Sequence, residues 1–220
     1  MPMFPLGHVL LPTVYLPLHV FEPRYRELVR VCLDGEHEFG VVLIARGSEV
    51  GGGDQRLAVG TVARIVEAAE LPDGRWALGT IGTRRIRVRE WLTDDPYPMA
   101  DVEEWPEPDL APAATETLAG AMTRLMPRLR RVLAASSELG ERAAPATIEL
   151  DDDPVLASYQ AVAVAPIGPA DQQRLLEAPD ATDRLDQLER LLIDEEAFLG
   201  QRLALESEDH DPDHPAGPPG

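Results

Sequence analysis

The sequence contains no lysine, because all twenty of its basic residues are arginines. Lysine is needed for the phosphate loop of a Walker A ATPase, for Schiff-base chemistry and for a Ser-Lys peptidase dyad. These three activities are therefore excluded. Cys32 is the only cysteine, which rules out an intrachain disulfide and a cysteine-rich zinc site. Since Val31 and Leu33 flank it, we expect a buried helix thiol rather than a reactive nucleophile.

Positive charge is scarce relative to negative charge, and the formal net charge is -19. Phosphate recognition needs concentrated positive charge, so a nucleic-acid partner is disfavoured. The acidity is uneven: residues 1–104 hold 11 Arg against 16 acids (net -5), and residues 105–220 hold 9 Arg against 23 acids (net -14). The second half therefore carries most of the negative charge.

Long apolar runs are also missing. No run approaches the roughly 20 residues that span a bilayer. Residues 1–20 lack a basic start and are broken by prolines, which argues against a signal peptide. We expect a cytoplasmic protein that does not bind membranes.

The familiar catalytic patterns are absent as well. No pair among His8, His19 and His37 has the helical i, i+4 spacing of metal ligands. None of the five serines lies in a G-x-S-x-G motif. Cys32 and His37 lie five residues apart across a predicted helix end, which is no evidence of a thiol–base pair. We expect no catalytic residue, no metal site and no cofactor, although a carboxylate pair in a cleft stays open as an alternative.

The first hundred residues have the pattern of a β domain. The apolar, β-branched run at 39–44 predicts a buried strand, and the glycines at 47–55 predict a surface loop. Segments 57–71 and 75–91 alternate in polarity around the turn sequence PDG, which predicts a hairpin. A further strand is predicted within 96–105. This spacing favours a small barrel or sandwich with one early helix.

One predicted strand carries a row of arginines. Arg85, Arg87 and Arg89 fall on one face, while the apolar residues between them fall on the other. We expect a solvated face that pairs with nearby acids, and an anion-binding strip is the alternative. The expected partners include Glu67, Glu70 and Glu90.

The remainder of the chain has the pattern of a helical subdomain. Three prolines and two acids at 105–112 predict a linker between a β domain at 1–104 and helices at 113–205. Pro127 interrupts the first apolar stripe, so we expect a kink or break near Met126. The stripe consists of Leu118, Met122, Leu125, Met126, Leu129, Val132 and Leu133.

Three later helices have recognisable starts. Asp153 is expected to cap a short helix that begins at Pro154, and Pro169 is expected to open the next one. The longest helix is predicted from 181 to 205. Residues 206–220 are acidic and rich in Pro and Gly, so we expect a disordered tail. His210 and His214 among its aspartates make weak metal binding the alternative.

Five ordered segments carry a family resemblance: MFPLGHVLLPTVYLPLHVFEPRYRELV, FGVVLI, VGTVARIVEAAELPDG, GTRRIRV and PYPMADVEE. They resemble the N-terminal substrate-binding domain of Lon proteases, especially short bacterial proteins that consist of this domain alone. The resemblance covers residues 3–104 closely and the helices to about 205 more weakly. It implies an α+β fold in which a PUA-like β-barrel around one helix is followed by a helical bundle.

The resemblance also implies a function. A Lon protease continues into an ATPase module and a Ser-Lys peptidase, for which this chain has neither the length nor a lysine, so we expect no enzymatic activity. It implies a recognition module that binds exposed hydrophobic segments of unfolded or partner polypeptides and is linked to a protease or chaperone. The alternatives are an adaptor that docks on one partner protein and a small-molecule-sensing domain.

Two groups of residues follow from this hypothesis. Trp76, Tyr97 and Met99 lie in or beside predicted strands and are candidates for peptide binding; the alternative is that they belong to the core or its rim. The second group is the structural motif of Phe21, Glu22, Pro23, Arg24 and Tyr25. Pro23 suits the first turn of a helix, and we expect Glu22 and Arg24 to anchor that helix to the barrel.

Overall fold

A computed structural model describes residues 1–46 and 55–209. The strands are β1 (Met3–Leu6), β2 (Tyr15–Val20), β3 (Glu38–Arg46), β4 (Gln55–Glu70), β5 (Trp76–Trp91) and β6 (Ala100–Glu104). The helices are α1 (Pro23–Asp34), α2 (Pro112–Glu138), α3 (Pro154–Val164), α4 (Pro169–Leu176) and α5 (Ala181–Asp209). The loop predicted at 47–55 lies outside these residues except for Gln55, and so do residues 210–220 of the predicted tail, including His210 and His214.

The strands form one curled sheet in the order β1-β3-β4-β5-β2. β1 and β3 run parallel, and the other neighbours are antiparallel. β5 is long enough to serve two partners, since 76–81 pair with β2 and 86–91 pair with β6. The hairpin predicted between β4 and β5 is confirmed. At its turn the Gly74 N–H donates to the Leu71 carbonyl at 2.8 Å, and Gly74 adopts a φ of 77°.

The curled sheet closes at one end and stays open at the other. At the closed end the N–H of Met3 donates to the Pro98 carbonyl at 2.8 Å, and the chain's α-amino group donates to Ala100 at 2.6 Å. Beyond this point no ladder joins β1 to β2 within the described sheet. We call this gap between β1 and β2 the seam.

Helix α1 packs inside the curl of the sheet. It begins at Pro23, as predicted, and buries Tyr25, Leu28 and Cys32 against the strands. The Tyr25 ring stacks on Phe4 of β1 with centroids 4.1 Å apart. Cys32 is only 3% exposed, which confirms the expected buried thiol.

Helix α2 passes through Pro127 without interruption, so of the expected kink or break near Met126 the break is wrong, while the kink stays a prediction. Proline removes one backbone hydrogen bond, but the apolar stripe continues on both sides of it. Leu125 and Leu129 flank the proline and are both buried in the helical core. Tertiary packing therefore outweighs the local preference for a break.

The later helices begin where the sequence indicated. Asp153 caps α3 by accepting hydrogen bonds from the N–H groups of Val155 (2.8 Å) and Leu156 (3.4 Å). Helix α5 continues to Asp209, past the expected end at 205. Among the described helices, none is both long and apolar enough to cross a membrane.

Candidate functional site

An apolar cleft opens at the seam. Its walls come from Phe4 and Leu6 of β1, Leu18 and Val20 of β2, and Tyr25 of α1. The cleft encloses about 190 Å³. It exists because β1 and β2 are not paired, so that the interior of the curled sheet is accessible from one side.

Exposed aromatic side chains lie at both ends of β2. Phe21, which directly follows β2, is 55% exposed, and Tyr15 at the other end of β2 is 52% exposed. A second hollow adjoins the cleft along β2, sharing Pro17, Leu18 and His19, and extends over β4 and β5. We call the cleft and this hollow together the seam groove.

Both strands that border the seam contain a proline. Pro5 lies in β1 and Pro17 in β2. Proline has no backbone N–H, and within sheets it is tolerated where that position faces away from the neighbouring strand. Each edge therefore lacks one donor that an added strand would use. The seam groove presents side-chain surface more than a continuous edge for strand addition.

The candidates Trp76, Tyr97 and Met99 all belong to, or pack against, one apolar core cluster of the barrel. Tyr97 is buried, and the other two are half-buried against the same apolar cluster, which also contains Phe4 and Leu18. None of the three is among the described residues that line the seam groove. Their direct role in binding stays a prediction.

The groove contains residues that sequence reasoning did not select, notably Tyr15 and Leu18. A signal for them existed in YLPLHV, where polarity alternates and a proline marks an edge strand. That signal identifies an exposed face of β2. It does not indicate that β1 lies across the cleft from β2 without pairing to it.

Residues 21–25 connect the groove to α1. The Arg24 Nε donates to the Glu22 carboxylate at 3.0 Å, and its guanidinium lies 4.6 Å from the centre of the Tyr25 ring. Tyr25 makes the stacking contact with β1 that was described above. The anchoring role of Glu22 and Arg24 stays a prediction.

The predicted solvated arginine row is wrong for Arg85, which is only 2% exposed. Its Nη1 donates to the carbonyl oxygens of Leu176 (3.0 Å) and Ala178 (2.6 Å) at the end of α4. The helical subdomain covers this position of β5, so the side chain is withdrawn from solvent. This burial lowers the pKa of the Arg85 guanidinium.

The other two arginines of the row remain exposed and pair with the acid opposite them on β6. Arg89 donates to Glu103 at 2.7 Å, and Arg87 approaches the same carboxylate at 3.9 Å. Among the described residues, the expected acids Glu67 and Glu90 form no ion pair with Arg87 or Arg89. Glu70 instead pairs with Arg30 of α1, at 3.2 Å.

Glu107, in the segment between the two subdomains, collects several contacts. Arg85 Nη2 lies 3.0 Å from its carboxylate as an ion pair, although the contact lacks hydrogen-bond geometry. Arg184 of α5 and the Tyr159 hydroxyl of α3 both donate to Glu107. Burial raises the pKa of Tyr159 and keeps it a donor. Glu107 thus adds a shared carboxylate to the other contacts between the barrel and the helices.

The thiol of Cys32 is buried rather than activated. Burial raises the pKa of the Cys32 thiol to about 11, which suppresses the thiolate at neutral pH. Within residues 1–46 and 55–209, no three His, Cys, Asp or Glu side chains form a possible metal group. The seam groove is the feature best suited to binding.

A curled half-barrel that encloses one helix and carries a helical part after it defines a PUA-like domain with a C-terminal helical subdomain. The structure resembles the crystal structure of a Lon N-terminal domain protein from Xanthomonas campestris (TM-score 0.59, 29% identity, 86% of this chain and 95% of that chain). It also has the fold of the N-terminal domain of a Mycobacterium avium complex Lon protease (TM-score 0.60, 20% identity, 89% and 97%).

The chain belongs to the family of the ATP-dependent protease La (LON) substrate-binding domain, whose model matches residues 1–194. Similar proteins include a Lon protease of Roseiflexus castenholzii (29% identical over 203 residues, 90% of this chain) and Lon protease 2 of Herpetosiphon aurantiacus (27% over 198 residues, 89%). The chain spans about a quarter of these relatives, 24% of each. The predictions of family and fold class are confirmed, and membership supports a role in substrate recognition.

Proposed function

We propose that the chain binds exposed hydrophobic segments of polypeptides in the seam groove and carries out no chemistry on them. The observation that carries the proposal is the pair of exposed aromatic rings at the two ends of β2, with Phe21 in the apolar cleft and Tyr15 in the adjoining hollow. Membership in a substrate-binding family supports it.

The groove has the physical properties that such binding requires. Covering apolar surface is worth about 25 cal/mol per Å², and aromatic rings contribute large areas at a small cost in side-chain entropy. The cleft, at about 190 Å³, is smaller than the roughly 300 Å³ at which pockets for drug-sized ligands begin. We therefore expect one apolar side chain to enter it while neighbouring residues lie on Phe21 and Tyr15.

The mode of binding follows from the strand edges. Since Pro5 and Pro17 each remove a donor, backbone pairing cannot continue along the full seam. Side-chain burial then supplies most of the affinity, which suits a module that accepts many sequences. Trp76, Tyr97 and Met99 support the walls from behind in this proposal. Captured chains would pass to a protease or a chaperone.

A titration with matched variants tests the proposal. A labelled, extended peptide with one leucine or phenylalanine anchor is added to the wild type, to Phe21→Ser and to Phe198→Ser. Phe198, on α5, is 53% exposed and far along the chain from the seam. We expect Phe21→Ser to weaken binding about tenfold, as loss of roughly 1.4 kcal/mol does, and Phe198→Ser to leave it unchanged.

Two results would overturn the proposal. Equal affinities for the two variants would place binding away from the seam, and no binding to the wild type at high micromolar concentrations would remove the function. Melting temperatures of both variants must match the wild type. Because both rings are exposed, little loss of stability is expected.

A further inference from the structure

We infer that the seam groove contains a subsite for a basic side chain, so that it prefers hydrophobic segments carrying an arginine or lysine near the apolar anchor. This inference rests on the proposed function and names the class of segment. The subsite consists of the Tyr15 ring, the Glu67 carboxylate and the backbone of Gly79.

The three residues meet on the outer face of the sheet. Glu67 pairs with Gly79 across β4 and β5, and Tyr15 lies over the same glycine from β2. A Cβ atom at Gly79 would lie 2.5 Å from the Tyr15 hydroxyl and 3.2 Å from the Glu67 Cβ. Any larger residue would therefore displace the Tyr15 side chain. The glycine allows the ring and the stem of the carboxylate side chain to lie side by side.

Glu67 has no ion-pair partner among the described residues, whereas several other acids of the barrel do. Arg64 and Arg84 pair with Glu38, Arg30 pairs with Glu70, and Arg89 pairs with Glu103. Glu67 is exposed beside apolar surface. It is thus a charge that a ligand can compensate without breaking an existing pair.

The remainder of the groove does not cancel this charge. None of the described residues that line the cleft or the hollow is an arginine. The other lining carboxylate, Glu22, is paired with Arg24 at 3.0 Å and lies at the N-terminus of α1, where the helix dipole offsets negative charge. Glu67 therefore determines the local sign, in a chain of net charge -19.

An exposed ring beside a free carboxylate is suited to a cation. A guanidinium can stack on the tyrosine face and donate hydrogen bonds to the carboxylate, and an ammonium group can make the ion pair. The Tyr15 ring extends over Gly79, which pairs with Pro17, the residue next to Leu18. The subsite therefore lies within about three residues of the cleft, or at most about 10 Å along an extended peptide at 3.3 Å per residue.

Three peptides that share one hydrophobic anchor test the inference. They carry Arg, Gln or Glu three positions from the anchor, and each is titrated against the wild type, Glu67→Gln and Glu90→Gln. Glu90 is also exposed, and it lies at the opposite end of β5. Both substitutions change the net charge equally, so the control separates a local contact from a general effect of charge.

We expect the wild type to bind the Arg peptide about fivefold tighter than the Gln peptide, as a contact worth roughly 1 kcal/mol gives. The Glu peptide should bind more weakly than the Gln peptide. The Arg preference should disappear in Glu67→Gln and persist in Glu90→Gln. High salt should reduce it, since the pair is exposed.

The outcomes are distinguishable. Equal binding of all three peptides to the wild type, or an Arg preference that survives Glu67→Gln, would disprove the subsite while leaving hydrophobic capture intact. Loss of the preference in both variants would assign it to overall charge, which also overturns the inference. If none of the peptides binds, the proposed function itself fails.

Discussion

The carboxylate of Glu107 lies 3.0 Å from the Nη2 atom of Arg85, within a contact that joins the barrel to the helical subdomain. Glu107 also accepts a hydrogen bond from Arg184, so two buried guanidinium groups share one carboxylate. Arg184 donates further to the Ser158 hydroxyl at 2.8 Å and lies 3.7 Å from the centre of the Tyr159 ring. Residues 105–111 are irregular in structure, yet they are fixed to both subdomains.

Replacing Glu107 should therefore cost far more stability than replacing an acid on the surface. In Glu107→Gln both guanidinium groups lose their counter-charge while staying buried, and we expect unfolding free energy to fall by about 3 kcal/mol. Glu103→Gln breaks exposed pairs and should cost less than about 1 kcal/mol. Urea denaturation of the two variants measures the difference. Equal losses would contradict a central role for Glu107.

Because the Cys32 thiol is buried, we expect the protein to lose stability at alkaline pH. Burial raises its pKa from 9.0 to about 11, so the folded chain holds a proton that the unfolded chain releases. This contribution is fully present below pH 9 and is lost as the pH rises toward 11. The shift corresponds to at most about 2.7 kcal/mol at 1.36 kcal/mol per pH unit.

Unfolding free energies of the wild type and Cys32→Ala, measured from pH 7 to 11, check this. Cys32→Ala is less stable at pH 7 because it removes packing, but its stability should fall less steeply above pH 9. Parallel curves for the two proteins would refute the assignment. In the wild type the thiol should also react slowly with disulfide reagents at pH 8 until the protein unfolds.

Replacing Pro127 with alanine should stabilise the protein. It is exposed in the middle of α2 and leaves the Thr123 carbonyl without its helical N–H partner. Pro127→Ala restores that donor and should raise the unfolding free energy by about 1–3 kcal/mol. Pro112→Ala, at the first position of the same helix, is the control, since no intrahelical donor is missing there. A lower melting temperature for Pro127→Ala would contradict this account.

The Glu22–Arg24 pair gives a test of the motif before α1. If the two side chains anchor the helix, Glu22→Ala and Arg24→Ala should each lower the melting temperature, with a loss of roughly 0.5–1 kcal/mol for a partly exposed pair. Unchanged melting with weaker peptide binding would instead place the pair in the binding surface. The two measurements on the same variants separate these roles.

Local signals predicted much of the fold. The β4–β5 hairpin was readable from alternation around a turn that Gly74 can adopt, and the start of α1 from Pro23, because both depend on residues close in sequence. Pro127 shows the limit of such reasoning. The helix there is maintained by contacts with α5, some sixty residues later, as in the Arg128–Glu189 hydrogen bond at 3.1 Å.

Arg85 shows a second limit. Alternation correctly placed it on the opposite face from Ile86 and Val88, and both of those residues are buried. Because arginine is polar, we expected that face, and Arg85 with it, to be exposed to solvent. The carbonyl groups that accept hydrogen bonds from Arg85 belong to residues 176 and 178, more than ninety positions later in the chain. The sequence around Arg85 contains no signal that predicts these contacts.

The sequence by itself determined the class of this protein: a β domain followed by helices, without the lysine that ATPase and peptidase chemistry would need, and with the ordered segments of a substrate-binding family. The order of strands and helices follows from periodicity and local turn chemistry, the lack of lysine from composition, and the family from the resemblance of the ordered segments. Only the tertiary structure revealed the seam, because it depends on two strands, distant in sequence, that lie side by side without pairing. It also brought Glu67 and Tyr15 together over Gly79, with no ion-pair partner for Glu67 among the described residues, because such contacts depend on how distant segments pack.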